Sequence, residues 1–544
     1  MCSRIAGRSC RFGVAGMADT EVLVIGAGAS GAALSWRLSE AGIKVICLEQ
    51  GDWVKPADIP IDRPDWEIAR MSWWSPNPNL RRLPEDYPVN DTDTPIKPLM
   101  FNGVGGSTIM WSCFNPRFHP DDFRVRSVDG VAEDWPLTYD ELAPHYDLSD
   151  RMMGVSGVAG DPSVPARTER PMPPLPIGPG TQTVIDAFNG LGWHWWPGDV
   201  ARNSTAYGDR PACNNCGACE MGCPSGAKGS ADVAYWPKAL KQGVELRTGA
   251  RVFEITTDKA GRATGALYYD RKGAVQRVTA DAVVMASNGV GTPRLLLLSK
   301  SARFPDGLAN STGLVGKNLM HHPIAAVSGV FDRLFDHGTG GAGASMLSNE
   351  FYGTKPGHDF VRGYMLAGPR IQAPLATALG ASGRSLAWGE GHHKQFEQLF
   401  GRFGSMIICC EDLPHESNTV TLDPVLKDSD GIPAPKLTYT LDDNSKRMIR
   451  HGLDRSKEVW DAAGAIDTIE RPLLAQAGFH LMGTARMGND PKTSVVDRWG
   501  RAHDAPNLFI VDGSVFVTCA AVNPTPTIEA LALRTADHMI ASRR

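Results

Sequence analysis

The chain has no run of about 20 consecutive apolar residues, the signature of a bilayer-spanning helix, so no membrane span is expected. It also lacks a charge excess: 55 Lys and Arg stand against 60 Asp and Glu, a formal net charge of -5. That balance gives no electrostatic case for a nucleic-acid partner. Residues 1–16 carry Arg4, Arg8 and Arg11 but no apolar core of the kind a secretory signal needs. They are expected to be disordered, with the first strand just after Met17, and the default location is cytoplasmic. No internal repeat is visible. Most of the 11 cysteines (Cys2, Cys10, Cys47, Cys113, Cys409, Cys410, Cys519) show no framework of paired spacings. What the chain has in quantity is glycine, 58 residues, and proline, 39, which suits a loop-rich α/β protein. Its 544 residues exceed what one core supports and predict two or more domains.

The apolar run Glu21 to Ile25 enters Gly26-Ala27-Gly28-Ala29-Ser30-Gly31. An alanine-rich segment of helical length, Ala32 to Ala41, follows and Gly42 stops it; Lys44 to Leu48 then reads as a second strand ending at Glu49. This is a βαβ unit laid end to end. Gly26 allows the tight turn, Gly28 lets backbone approach a pyrophosphate, and Gly31 permits close packing of helix on strand. The helix N-terminus offers free N–H groups to a diphosphate. Glu49, 21 residues after Gly28, is placed to accept bonds from ribose hydroxyls. A dinucleotide site is expected; the fingerprint alone leaves FAD and NAD open.

Further along, residues 52–95 read as an irregular excursion before a second glycine knot, Gly103-Val104-Gly105-Gly106-Ser107. Prolines dominate from Asp161 to Gly180, which predicts a linker or extended segment. Strands are predicted at Val244–Arg247 and Ala282–Ala286, and a helix at Arg294–Leu298. Residues 325–470 hold short β-like stretches such as Thr419–Leu422 and Lys436–Leu441 and no nucleotide signature. The run Asn507–Asp512 and a helix from Pro526 to Ile540 look like a return to the first domain.

Cys213, Cys216, Cys219 and Cys223, followed by Pro224, match the C-x2-C-x2-C-x3-C-P run of bacterial ferredoxins. Three readings stay open: an iron–sulfur cluster, a zinc site, and reduced thiols with no metal. Zinc is disfavoured because structural zinc sites pair two knuckles at longer separation.

Besides the fingerprint, five ordered blocks carry a resemblance: Gly103–Thr108, Gly289–Leu298, Gly313–Leu319, His480–Gly488 and Val511–Ser514. Over most of residues 20–544 the chain resembles the glucose–methanol–choline (GMC) family of FAD-dependent oxidoreductases. The resemblance implies an α/β fold, with a Rossmann-like FAD-binding domain of discontinuous segments and an inserted β-rich substrate domain. It divides the chain into 17–160, 161–210 (a Pro-rich linker or substrate-domain segment), 211–324, 325–470 (substrate binding) and 471–544. It implies bound FAD and oxidation of a CH–OH group of a sugar, polyol or other alcohol to a carbonyl, by hydride transfer to the flavin. His480 and Asn523 are the matching catalytic positions. A neutral imidazole can take the hydroxyl proton and an amide cannot, so His480 is assigned as base and Asn523 as donor or orienter. Gly26, Gly28, Ser30, Gly31, Glu49, Gly103, Gly105, Gly106, Ser107, Val252, Asp512, Gly513, Pro524 and Thr525 are placed at the cofactor. Thr525-Pro526 reads as an N-cap with Pro at the first helical position. His321-His322 fall beside FAD by resemblance and receive no ligand role.

The cysteine run resembles a region that holds an iron–sulfur cluster in flavoprotein subunits of GMC sugar dehydrogenases, though its spacing is more regular. It also resembles a stretch in long-chain alcohol oxidases where no cluster is implied. With a cluster, electrons would leave to an acceptor protein or quinone; without one, an oxygen-reducing, peroxide-forming alcohol oxidase is the alternative. A non-enzymatic redox sensor is the third reading, and His480 with Asn523 counts against it.

Overall fold

In the computed structural model, residues 18–63, 66–336, 346–370, 373–380 and 383–543 are described; the expectation of a disordered 1–16 lies outside them. The opening unit forms as its sequence predicts. Strand Thr20–Ile25 pairs in parallel with Val45–Glu49, and helix Ala29–Glu40 connects them. The helix begins three residues earlier than its apolar run, because Gly28 is already its extended N-cap residue. All five residues of Val45–Glu49 are buried, as expected of a parallel strand covered on both faces.

These strands belong to a seven-stranded sheet drawn from distant parts of the chain. Glu245–Thr248 pairs with Val45–Glu49, and the long strand Val275–Met285 pairs in parallel with Thr20–Ile25. Leu508–Ile510 adds in parallel on the same C-terminal half of Val275–Met285. The N-terminal half of that strand instead pairs antiparallel with Ala263–Tyr269, which pairs with Arg251–Thr257. The terminal helix, Thr525–Ser542, packs on Ala29–Glu40 and on Tyr139–Met153.

A second, six-stranded sheet supplies the β-rich region. Its order is Asp467–Arg471, Ile324–Val330, Phe403–Cys410, Tyr364–Arg370, Met346–Ser348 and Trp196–Pro197, antiparallel throughout. Helix Asp443–Ala462 lies on it, with Trp460 Nε1 donating to the Val327 carbonyl at 2.9 Å. Between the two sheets, residues 161–178 form no helix or strand, and helix Pro179–Leu191 begins within the last two residues of the proline-rich stretch.

Candidate active site

The carboxyl ends of four parallel strands meet at one place. Ile25 leads to Gly26 and Gly28, Val45–Glu49 ends at Glu49, Met285 leads to Ser287, and Ile510 leads to Asp512 and Gly513. Ile25, Gly26, Gly28, Glu49, Ser287, Asp512 and Gly513 line a cavity of about 300 Å³. Such a crevice outside the strand ends is where open α/β sheets take their ligands. Ser30, Gly106, Ser107, Val252, Pro524 and Thr525 line it too, and so do His480 and Asn523.

The cavity fits a dinucleotide. Gly26 has φ +106°, and a Cβ there would sit 2.4 Å from the Ala286 carbonyl oxygen. A Cβ on Gly106 would lie 2.8 Å from Gly28 Cα, so the two glycine knots form one cradle that side chains would fill. Gly31, Gly103 and Gly105 stand behind this wall and act through packing: a Cβ on Gly31 would meet the Gly26 oxygen at 2.0 Å, and Gly105 N–H donates to Ala27 O at 2.9 Å. The Glu49 carboxylate accepts from Ala27 N–H at 2.8 Å and Gly51 N–H at 2.9 Å. Burial nevertheless pushes it up to about 7. Asp512 spends its carboxylate inside the protein, accepting from Thr292 Oγ1, Ser287 N–H and Ser514 N–H. It ties the strand end to the Asn288–Leu298 helix. Pro524, not Thr525, is the N-cap residue of the terminal helix, and no side chain caps it. Pro524 already has helical dihedrals, so Thr525 lies inside the first turn, where an N-cap's extended backbone is lost.

His480, in the cavity lining, meets the His322 ring at right angles, with Nδ1 to Nδ1 2.6 Å apart. Met320 and Met482 exchange backbone hydrogen bonds in an antiparallel bridge, and that register sets residue 322 opposite residue 480. His322 Nε2 lies 2.9 Å from the Ala520 carbonyl and 3.2 Å from that of Cys519. Asn523 Nδ2 approaches His480 Nε2 at 3.5 Å. Burial, with His322 and His321 adjacent, holds His480 well below the usual histidine range, and burial brings His322 down to about 4. Both rings are neutral at pH 7. The sequence reading gave His322 no part in this pair.

The wall contributed by the six-stranded sheet is apolar: Ile324, Met365, Ala367, Ile407 and Cys409. One polar pair interrupts it. Glu220 is ion-paired with Arg370 and Arg70; although burial raises a carboxyl, the two guanidiniums hold it down at about 2. This pair too was invisible in the sequence.

The four clustered cysteines do not gather on one centre. Cys213 Sγ accepts from Asn215 N–H at 3.4 Å, Cys216 is exposed, and Cys223 Sγ lies 3.4 Å from Ser225 Oγ. Cys219 is buried, and its thiol and that of Cys113, both free, share a hydrogen bond. Among the described residues no group of three or more His, Cys, Asp or Glu side chains could hold a metal ion. The thiols as arranged do not fit an iron–sulfur cluster.

Two family models, both described as GMC oxidoreductase, match residues 21–324 and 414–532. The 2-methyl-1,2-propanediol dehydrogenase of Mycolicibacterium austroafricanum is 44% identical over 97% of this chain and 96% of its own length. The fructose dehydrogenase large subunit of Gluconobacter japonicus is 31% identical, over 96% and 98%. Among solved structures, pyridoxine 4-oxidase from Mesorbium loti matches with a TM-score of 0.64 at 17% identity, covering 96% of this chain and 99% of that one, a likeness of fold. The strand-end cavity, its glycine cradle and its histidine thus sit in a chain that belongs to the GMC oxidoreductase family, FAD-dependent enzymes acting on CH–OH substrates.

Proposed function

We propose that this enzyme oxidises a compact, largely apolar alcohol or diol to the carbonyl, with His480 as base, and passes the electrons to an acceptor other than oxygen. The observation that carries the reading is the His480–Asn523 pair in a cavity that an apolar sheet wall also lines. Gly26, Gly28, Ser30, Glu49, Asp512 and Gly513 would hold FAD, which when bound supplies the hydride acceptor. His480 Nε2 takes the hydroxyl proton as the carbon gives up hydride, because an alkoxide-like oxygen is needed before a hydride can leave. The Asn523 amide N–H holds that oxygen. Each unmatched hydroxyl set against Ile324, Met365 and Ile407 would cost free energy. The wall therefore favours few hydroxyls over a free sugar, and Arg370 with Glu220 offers one polar anchor. A relative named as a diol dehydrogenase supports this substrate class; with no cluster to carry it, the non-oxygen acceptor rests on two relatives named as dehydrogenases, set against two of similar identity named as oxidases.

The test is turnover of short alcohols and diols with an artificial dye, in parallel with oxygen consumption. His480→Ala should lower kcat about 10²- to 10⁴-fold with FAD absorbance retained. Unchanged turnover would sink the base assignment. Oxygen uptake equal to dye reduction would replace the dehydrogenase reading with a peroxide-forming oxidase.

A further inference from the structure

We infer that His322 is a positioning residue that fixes the tautomer of His480, placing the proton on His480 Nδ1 and leaving Nε2 bare toward Asn523. The inference rests on the base reading of His480, and its argument is a count of donors. His322 Nε2 faces only the carbonyl oxygens of Cys519 and Ala520, which accept and never donate, so Nε2 carries hydrogen. A neutral imidazole has one N–H, and burial keeps His322 neutral. Its Nδ1 is therefore an acceptor. The contact of 2.6 Å to His480 Nδ1 then requires His480 to donate. His480 is neutral for the same reason, so its Nε2 has no hydrogen and can accept a proton. The Asn523 amide, a donor on the Nε2 side, agrees with that assignment.

The backbone is bent to serve the arrangement. Ala520 lies at φ +56°, a left-handed position unusual for a residue with a Cβ, and its carbonyl oxygen is the nearer of the two at His322. His322 thus connects His480 to the loop that carries Asn523 three residues later. During turnover the hydroxyl proton moves to His480 Nε2, and the imidazolium so formed donates Nδ1–H to His322. The positive charge is met by a neutral lone pair, a weaker counterpart of the carboxylate that orients histidine in hydrolytic triads.

The direct readout is the nitrogen spectrum of the FAD-loaded full chain labelled with 15N at histidine. The resonances lost in His480→Ala identify His480. We expect its Nδ1 protonated and its Nε2 bare, and a protonated Nε2 overturns the inference. In kinetics, His322→Phe should lower kcat about 100-fold with FAD content kept and KM moved about twofold at most. His322→Asn, whose amide oxygen can still accept from Nδ1, should recover about tenfold of that loss. A His322→Phe enzyme with unchanged kcat overturns the positioning role; should it fail to fold, the wild-type spectrum still decides. Unchanged turnover in His480→Ala would remove the base reading and leave the tautomer assignment to stand or fall on the spectrum.

Discussion

A missing Cβ at position 289 sets where His480, the proposed base, stands. A side chain there would meet the Leu481 carbonyl oxygen at 2.4 Å, and one on Gly513 would reach the same oxygen at 2.7 Å. The segment bearing His480 is therefore pressed between two glycines. Gly289→Ala should push it outward, and a displacement near 1 Å costs about 100-fold in rate. We expect flavin reduction to slow by roughly 10- to 100-fold in stopped-flow measurements. Gly190→Ala, at an exposed position of helix Pro179–Leu191 with nothing near its Cβ, is the control and should leave the rate unchanged. Equal rates in the two variants would show that the 481 backbone has room. At this scale the sequence was informative where spacing carried the chemistry. Gly26, Gly28, Glu49, His480 and Asn523 all reach the cavity. His322 was not legible, because adjacent histidines before a proline say nothing about ring direction. Its partner is set by the bridge between Met320 and Met482, a pairing across some 160 residues. Arg370 and Glu220 were hidden for the same reason.

Among the elements, the terminal helix Thr525–Ser542 carries a buried acid that its amphipathic pattern does not reveal. Glu529 accepts from Ser149 Oγ at 2.5 Å and Tyr235 OH at 3.3 Å, yet burial pushes its carboxyl up to about 8. The folded chain keeps this proton where the unfolded chain has lost it. The stability tied to Glu529 is therefore complete at acid pH and is lost as pH rises towards 8. Glu529→Gln does not titrate. Relative to the parent it should gain about 1 kcal/mol per pH unit between about pH 5 and about pH 8, read from denaturant unfolding across that range. A gap that stays constant with pH would mean that Glu529 is ionised in the folded chain. Helix positions were read well from apolar runs, but their starts were not. The helices at Ala29 and Asn288 begin earlier than the apolar runs, because glycine and small residues in the first turn carry no apolar signal. The Pro524 cap displaced the one expected from Thr525.

Across the whole molecule, one cation joins the two sheets' surroundings. The Arg362 guanidinium, buried just before strand Tyr364–Arg370, pairs with Asp122 and Asp129 from the 120–129 segment and with Glu411 after strand Phe403–Cys410. Arg362→Met leaves these carboxyls buried without their cation, a loss of roughly 3–5 kcal/mol. We expect a lower melting temperature with FAD-binding strength retained in the fraction that folds. An unchanged melting temperature would show that the acids are satisfied without it. That this knot exists could not be read from the chain, since its members lie between residues 122 and 411; the β-rich character of 325–470 could. Of the discontinuous sheet, the fingerprint strands, the runs near 244–247 and 282–286 and the return at 507–512 were legible, while the antiparallel strands Arg251–Thr257 and Ala263–Tyr269 were not. That return has a consequence for biosynthesis. A ribosome delivers Gly26, Gly28 and Glu49 first, and Leu508–Ile510, Asp512 and Asn523 follow only after more than 450 further residues. The earliest-made part of the site waits, incomplete, for the latest-made part. A cofactor held by both parts is captured only once residue 523 has been made.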